Sequence, residues 1–362
     1  GIAAFRADRV REAIEMGYEV RSIADDIADP ALVIKANELV SKGLSLYGDY
    51  EEALKLNLEN VRLAREIGDA YEEYDALHDA GVIYWTMKDW DASVRSLQQA
   101  FDTKPESHPH GFADYNNLGL AHLEAGDPER AEALFLKALD GVEDREQDYQ
   151  KALVLSNLGD LRQRQGLLDE AMVYLEASLR LARVLDNSWI VSRSLRHKAN
   201  VLAQSGRLAD GIPLVEEAGR ILEDQNLQSE LLDTLELQIK LYAETRDFEK
   251  AYRAQRRYTE LREDILNQRV RNRGILHQVE LNTLEQGRRI VELEAERAAQ
   301  DVRNEAMRRA EIESQWHRLG LALALLVAGL LVILLYLRFY KLRKTAAELR
   351  QLNNEKNEFI GI

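Results

Sequence analysis

The chain of 362 residues has no cysteine and only five prolines. Without cysteine there is no disulfide, no thiolate metal site and no cysteine nucleophile, which excludes thiol redox chemistry. The compartment stays open, because an oxidising space tolerates a cysteine-free chain as readily as the cytosol does. A proline share far below the usual value of about 5% argues against a turn-rich β-sandwich or a collagen-like chain and makes a helical protein the first expectation. Positive charge is in deficit: 48 Lys and Arg stand against 63 Asp and Glu, a net charge of −15. Such a chain repels a phosphate backbone, so no nucleic acid is expected as a partner.

Catalytic signatures are missing too. There is no Gly-rich phosphate loop, no nucleophile elbow and no HExxH pair. His108 and His110 flank Pro109 with no third ligand nearby, and paired carboxylates such as Glu51-Glu52 and Glu72-Glu73 fall on helix surfaces where solvation is the default. The chain is expected to hold no catalytic residue and no metal.

Charge-free runs of membrane-spanning length are absent except for one. Leu319 to Leu337, LGLALALLVAGLLVILLYL, is 19 residues without a charge. As a helix it is about 28 Å long, close to the thickness of a bilayer core. Trp316 stands at one edge and Tyr336, Phe339 and Tyr340 at the other, where aromatic rings favour the headgroup interface. A membrane helix is expected over 318–338. The seven residues before it, Ile312 to Arg318, carry one basic residue, and the seven from Arg338 to Lys344 carry four. The C-terminal side is therefore expected in the cytoplasm and the bulk of the chain outside it, although Arg303, Arg308 and Arg309 soften the asymmetry. From Arg338 onward six basic residues face three acidic ones, a local +3, so residues 1–337 carry −18. The chain opens on Gly1 without a visible signal peptide, which reads as a fragment whose start has been removed.

Over residues 1–265 one pattern recurs with a period of forty. YNNLGLAHLEAGDPERAEALFLKAL begins at Tyr115, LSNLGDLRQRQGLLDEAMVYLEASL at Leu155 and SKGLSLYGDYEEALKLNLENV at Ser41. A small residue opens each second helix at Ala53, Ser93, Ala131, Ala171, Gly211 and Ala251, and one further period toward the start lands on Ala13. About six and a half repeats are expected, each two amphipathic helices joined by a tight turn such as Gly48-Asp49. Small residues at Gly81, Gly119, Gly159 and Ala199 allow close helix approach, and Leu97, Phe135, Leu175 and Val215 should plug the space between adjacent repeats.

Leu118-Gly119, Gly126-Asp127, Ala131 and Ala138, with Leu158-Gly159, Gly166 and Ala171 in the next copy, resemble the tetratricopeptide repeat. The resemblance covers Gly1 to about Arg262. The family period is usually about thirty-four, so the longer period here implies longer helices. It implies an all-α solenoid with a concave face for a protein or peptide ligand. Asn117, Asn157, Arg193, His197 and Asn200 should face inward as a polar, partly basic patch. Some proteins of the family clamp a peptide carboxylate with lysine and asparagine at related positions; Asn116 and Leu120 stand where the first clamp residues would be, a departure from that pattern.

Beyond the repeats, residues 266–317 read as a charged connector. A heptad frame places Leu281, Arg288, Ala295, Val302, Arg309 and Trp316 at one seam position and Leu284, Val291, Ala298, Glu305 and Ile312 at the other. This favours a coiled coil and a homodimer, with a single solvated helix as the alternative. In the cytoplasmic linker, 339–362, a second seam runs through Leu342, Leu349, Leu352 and Phe359. The stretch from Leu352 through Lys356, Glu358 and Phe359 to Ile362 resembles the segment that opens the dimerisation helix of sensor histidine kinases. The order of solenoid, coil, span and this run resembles that of bacterial tetratricopeptide sensor kinases. What the resemblance implies is a phosphoacceptor histidine just beyond Ile362, ATP and Mg in a following kinase domain, a response regulator as partner and an inner-membrane location. Two alternatives share every upstream feature: a membrane-anchored adaptor without enzyme activity, and a receptor with a DNA-binding output domain.

Overall fold

The structure, a computed structural model, describes residues 2–142 and 147–359. Thirteen α-helices and no strand occur among the described residues. They are α1 (Ile2–Asp26), α2 (Pro30–Tyr47), α3 (Tyr50–Ile67), α4 (Ala70–Thr86), α5 (Trp90–Thr103), α6 (Phe112–Glu124), α7 (Pro128–Asp140), α8 (Asp148–Arg164), α9 (Leu168–Val184), α10 (Ser188–Gln204), α11 (Leu208–Asp224), α12 (Gln228–Glu244) and α13 (Phe248–Phe359).

The turns follow a local rule. A left-handed residue ends helix after helix at twenty-residue steps: Gly48, Gly68 and Lys88, then Gly166, Asp186, Gly206, Asn226 and Arg246. At Gly48, φ is +81° and its N–H donates to the Ser45 carbonyl at 3.1 Å, while Asp49 N–H reaches the Leu44 carbonyl at 3.0 Å. This closes the orphan carbonyls of α2. Aspartates then start the next helices: Asp29 Oδ1 accepts from Ala31 and Leu32 N–H, and Asp69 Oδ1 from Tyr71 and Glu72 N–H.

In the pairs α4–α5, α6–α7 and α8–α9 the glycine of the first helix receives a bulky side chain of the second. A methyl group at Gly81 would stand 2.5 Å from Leu97, at Gly119 2.7 Å from Phe135, and at Gly159 2.6 Å from Leu175. Those side chains are buried and extend into the following repeat, as expected: Phe135 clusters with Val154, Leu158 and Leu161, and Leu175 with Val201.

The chain forms two compact units divided at Glu285. In the first, α13 begins as the partner of α12, with Ala254 and Leu261 packed among Leu231, Leu235 and Tyr242. It then continues onto the first repeats, where Leu276 and Val279 are buried in a cluster with Ile14, Val40, Leu44, Ala53 and Leu56. Leu276 and Val279, within the stretch 266–317 expected as connector, are thus buried against the first repeats. The second unit, from Gln286, is helical among its described residues. Val291 and Val302 are 61% and 68% exposed in this single chain, and every residue of the apolar run Leu319–Leu337 is exposed. That run makes α13 a candidate membrane span by length and composition. The side chains of Leu284 and Phe359, and residues 360–362 of the kinase-like run, lie outside what the structure describes.

Candidate ligand-binding cavity

The inner helices of the repeats and the start of α13 surround a cavity of about 720 Å³, within the range typical of ligand sites. One side is α10, on which Trp189, Ser192, Arg193, Arg196, His197 and Asn200 all line the cavity. Their spacing of three and four puts them on one helical face. Another side is α12, with Glu230, Asp233 and Glu236. Trp85 and Trp90, whose ring centroids are 6.0 Å apart, line it from the α4–α5 turn, and Tyr258 and Arg269 from α13. The lining therefore combines the arginines of α10 with the carboxylates of the neighbouring α12, which meet where Trp189 donates to Glu230, and with indole and phenol rings.

The arginine side is held by a hydrogen-bond relay across repeats. Asn157 Nδ2 donates to Asn116 Oδ1 at 2.7 Å, and Arg193 Nη2 donates to Asn157 Oδ1 at 2.6 Å. Asn116 Nδ2 donates to Asn117 Oδ1 at 3.1 Å, and Asn117 Nδ2 lies 3.1 Å from His78 Nε2. Arg193 also lies over the Trp189 ring at 5.6 Å, and Trp189 Nε1 donates to Glu230 Oε1 at 3.0 Å. Burial pulls the Arg193 guanidinium pKa below its ordinary value. Its Nε is buried without a hydrogen-bond partner, as is Oε1 of Gln163, which also lines the cavity.

Beside it, His197 Nδ1 lies 3.3 Å from Asp160 Oδ1, and Arg196 Nη2 lies 3.4 Å from His197 Nε2. Burial and the two neighbouring arginines push the imidazole down to about 4, although Asp160 opposes them. The ring is thus neutral at pH 7, with its N–H toward Asp160 and its bare Nε2 toward Arg196. Burial raises the Asp160 carboxyl, but His197 and Arg164 outweigh it and hold the group far below the ordinary carboxylate range. Arg164 carries this link onward to Glu124 at 2.7 Å.

Of the five residues expected to face a ligand, Arg193, His197 and Asn200 line the cavity. Asn117 sits half-buried in the relay, and Asn157 is fully buried with its amide engaged by Asn116 and Arg193. Asn157 lies on the inner side but is covered there, and its amide positions Arg193. Sequence reading missed the aromatic residues and the acidic wall. The Trp189-Arg193-Arg196-Asn200 stripe on α10 was available as a signal; the approach of Trp85 and Tyr258 was not. Among the described residues no group of three or more His, Asp or Glu side chains could hold a metal ion.

Residues 112–183, spanning α6 to α9, match the tetratricopeptide repeat model. A Rap protein complexed with Competence and Sporulation Factor is similar in structure, with a TM-score of 0.52 and 13% identity over 69% of this chain and 75% of that one. The fold is a tetratricopeptide-type solenoid. Two other similar structures are BtubC from P. vanneervenii (TM-score 0.49, 20% identity, 60% of this chain and 92% of that one) and NprR in complex with its cognate peptide NprX (0.48, 16%, 65% and 70%). At such identities the likeness to the Rap protein is one of fold. No curated protein sequence matches the chain. In this solenoid the cavity lies on the inner-helix side, where Asn116, Asn157 and Arg193 join three successive repeats.

Proposed function

We propose that the chain is the ligand-binding and transmitting part of a membrane sensor, with the solenoid taking a peptide or an extended protein segment in its cavity. The observation that carries this reading is α13: Tyr258 and Arg269 line the cavity, and the same uninterrupted helix contains the apolar run. An occupant that contacts α13 biases the element leading to the membrane, which a differential contact must do if occupancy is to shift a conformational equilibrium.

The chemistry of the cavity favours a zwitterionic, partly apolar ligand. Arg193 and Arg196 suit a carboxylate, Glu230, Asp233 and Glu236 suit an amine or basic side chain, and the indoles of Trp85, Trp90 and Trp189 suit apolar side chains between them. The Rap structure is compatible with this reading as that of a protein of similar fold that carries a bound partner.

For the output, the resemblance of Leu352–Ile362 to the kinase dimerisation segment supports a histidine kinase, dimeric through the connector. ATP and Mg would act in a domain that follows, a response regulator would be the next partner, and the repeats would lie outside the cytoplasm. Membranes carrying the full-length protein, incubated with labelled ATP, should acquire acid-labile, base-stable phosphate on histidine. Absence of such phosphate would replace the kinase by the adaptor reading. Retention of peptides from a random hexapeptide library by the solenoid, lost in Arg193→Met, tests the binding half separately.

A further inference from the structure

The stretch Arg269 to Val279 of α13 does something that neither repeat packing nor a connector requires. It fastens the last helix of the solenoid to the first repeats. Asn272 Nδ2 donates to the Tyr47 carbonyl at 3.1 Å, a contact 225 residues apart in sequence. Arg273 donates to Glu51 at 3.1 Å and lies 3.6 Å from Asp49. Arg269 stands 5.6 Å from the centre of the Tyr50 ring and passes so near Gly48 that a methyl group there would meet its Cγ at 3.3 Å. Leu276 and Val279, 7% and 4% exposed, complete the contact.

Two features make this contact releasable. The Arg273–Glu51 pair is open to water, with the two side chains 65% and 69% exposed, and the longer Arg273–Asp49 pair is open on its arginine side; exposed pairs contribute little. Among the described side chains of this stretch Leu276 and Val279 are the buried apolar ones, whereas helices inside the array bury a whole face. Contacts of this kind belong to the low-stability end of a fold, where local opening precedes global unfolding. Tyr50 and Arg269 are also both cavity-lining residues, so the fastening is itself part of the cavity wall.

We propose that Arg269–Val279 is a clasp that shuts the cavity, so that access to the Arg193 side requires α13 to lift from the first repeats. A peptide-sized occupant would enter by opening the clasp and then hold it in a changed position. The clasp itself is independent of what the ligand is and of what lies beyond the membrane.

The absence of native cysteine allows a clean test. Ser192, which lines the cavity and is 1% exposed, is replaced by cysteine in the full chain, and its labelling by a bulky maleimide is timed. Leu276→Ala with Val279→Ala should raise the rate on the order of tenfold or more, as local opening becomes frequent. Arg273→Glu, set against Asp49 and Glu51, should raise it several-fold (about 3–10 times). Adding Asp49→Lys and Glu51→Lys to Arg273→Glu should bring the rate back, which a merely misfolded variant would not do. The proposal is overturned if both clasp variants label at the parent rate. It is equally overturned if Ser192→Cys with the clasp intact labels as fast as a cysteine at the exposed Ser107. Loss of peptide retention in Arg193→Met with no effect of the clasp variants on labelling would leave the binding reading standing and remove the clasp.

Discussion

His197 Nδ1 and Asp160 Oδ1 face each other at 3.3 Å with both residues almost fully buried, and the imidazole is neutral there. The reason is charge balance. Arg164 already compensates Asp160, and Arg193 and Arg196 crowd the ring, so a further proton would be an uncompensated buried charge.

That arrangement fixes the sign of a pH effect. The folded value of about 4 lies below the ordinary 6.5, so the unfolded chain binds more protons between these limits. Stability from His197 is complete above pH 6.5 and is lost as pH falls toward 4, by about 3 kcal/mol at most. Asp160 stays ionised in the folded protein throughout this window, and as the unfolded carboxyl begins to take up protons near pH 4 it adds a smaller loss of the same sign. Urea melts at pH 7 and pH 4.5 should show His197→Gln, which keeps an N–H for Asp160, losing less stability on acidification than the parent. Equal losses would show that the ring titrates normally.

Gly159 and Leu175 should behave as one unit. Gly159→Ala forces a methyl group to within 2.6 Å of Leu175 and should cost about 1–3 kcal/mol. Leu175→Ala should cost about 2–5 kcal/mol through the cavity it leaves. In the double variant the new methyl partly fills that space, so the combined loss should fall short of the sum by about 1 kcal/mol or more in a double-mutant cycle.

Asn157 and Asn117 should differ although both are inner-helix asparagines. Asn157→Leu removes the acceptor of Arg193 and the donor to Asn116 inside the protein, at about 2–4 kcal/mol, and should also weaken peptide retention. Asn117→Ala, at a half-buried position, should cost about 1 kcal/mol or less and leave retention intact. Thermal melts and the peptide-library assay read the two effects separately.

Topology is open to a direct measurement. Single cysteines at Ser107 and Thr345 in membranes whose outer barrier is permeabilised should label with an impermeant thiol reagent at Ser107 alone. Labelling at Thr345 alone would invert the orientation read from the four basic residues of Arg338–Lys344.

Dimerisation through the connector predicts that Val291→Asp with Val302→Asp weakens crosslinking across the seam, each buried charge costing roughly 2 kcal/mol or more. Undiminished crosslinking would make the connector a single solvated helix.

The repeat units were legible in the sequence because their signals are local. A small residue and a bulky one sixteen positions apart, as with Gly159 and Leu175, define each helix pair, and the Gly-Asp turns end one helix and start the next. The apolar run from Leu319 is equally plain, since hydrocarbon-length hydrophobicity needs no partner to be read. For the site, helical phase singled out Arg193, His197 and Asn200, which line the cavity.

The rest depended on how the helix pairs stack. Each repeat turns slightly relative to the last, and only the accumulated rotation over six pairs brings Tyr47 and Glu51 within reach of Asn272 and Arg273. No local pattern encodes a contact across 225 residues, so the packing of Leu276 and Val279 on the first repeats was not legible in the sequence. The same holds for Asn157. Helical phase turns it inward, but whether it meets solvent or the neighbouring repeat is set by the distance to Asn116 and Arg193, and at 2.7 and 2.6 Å the neighbours claim it. The sequence thus determined the helices, their pairing and the candidate span, because periodicity and hydrophobic length act over short separations. The cavity, the meeting of its arginine and carboxylate residues and the clasp belong to tertiary structure, because they arise from the summed geometry of many repeats.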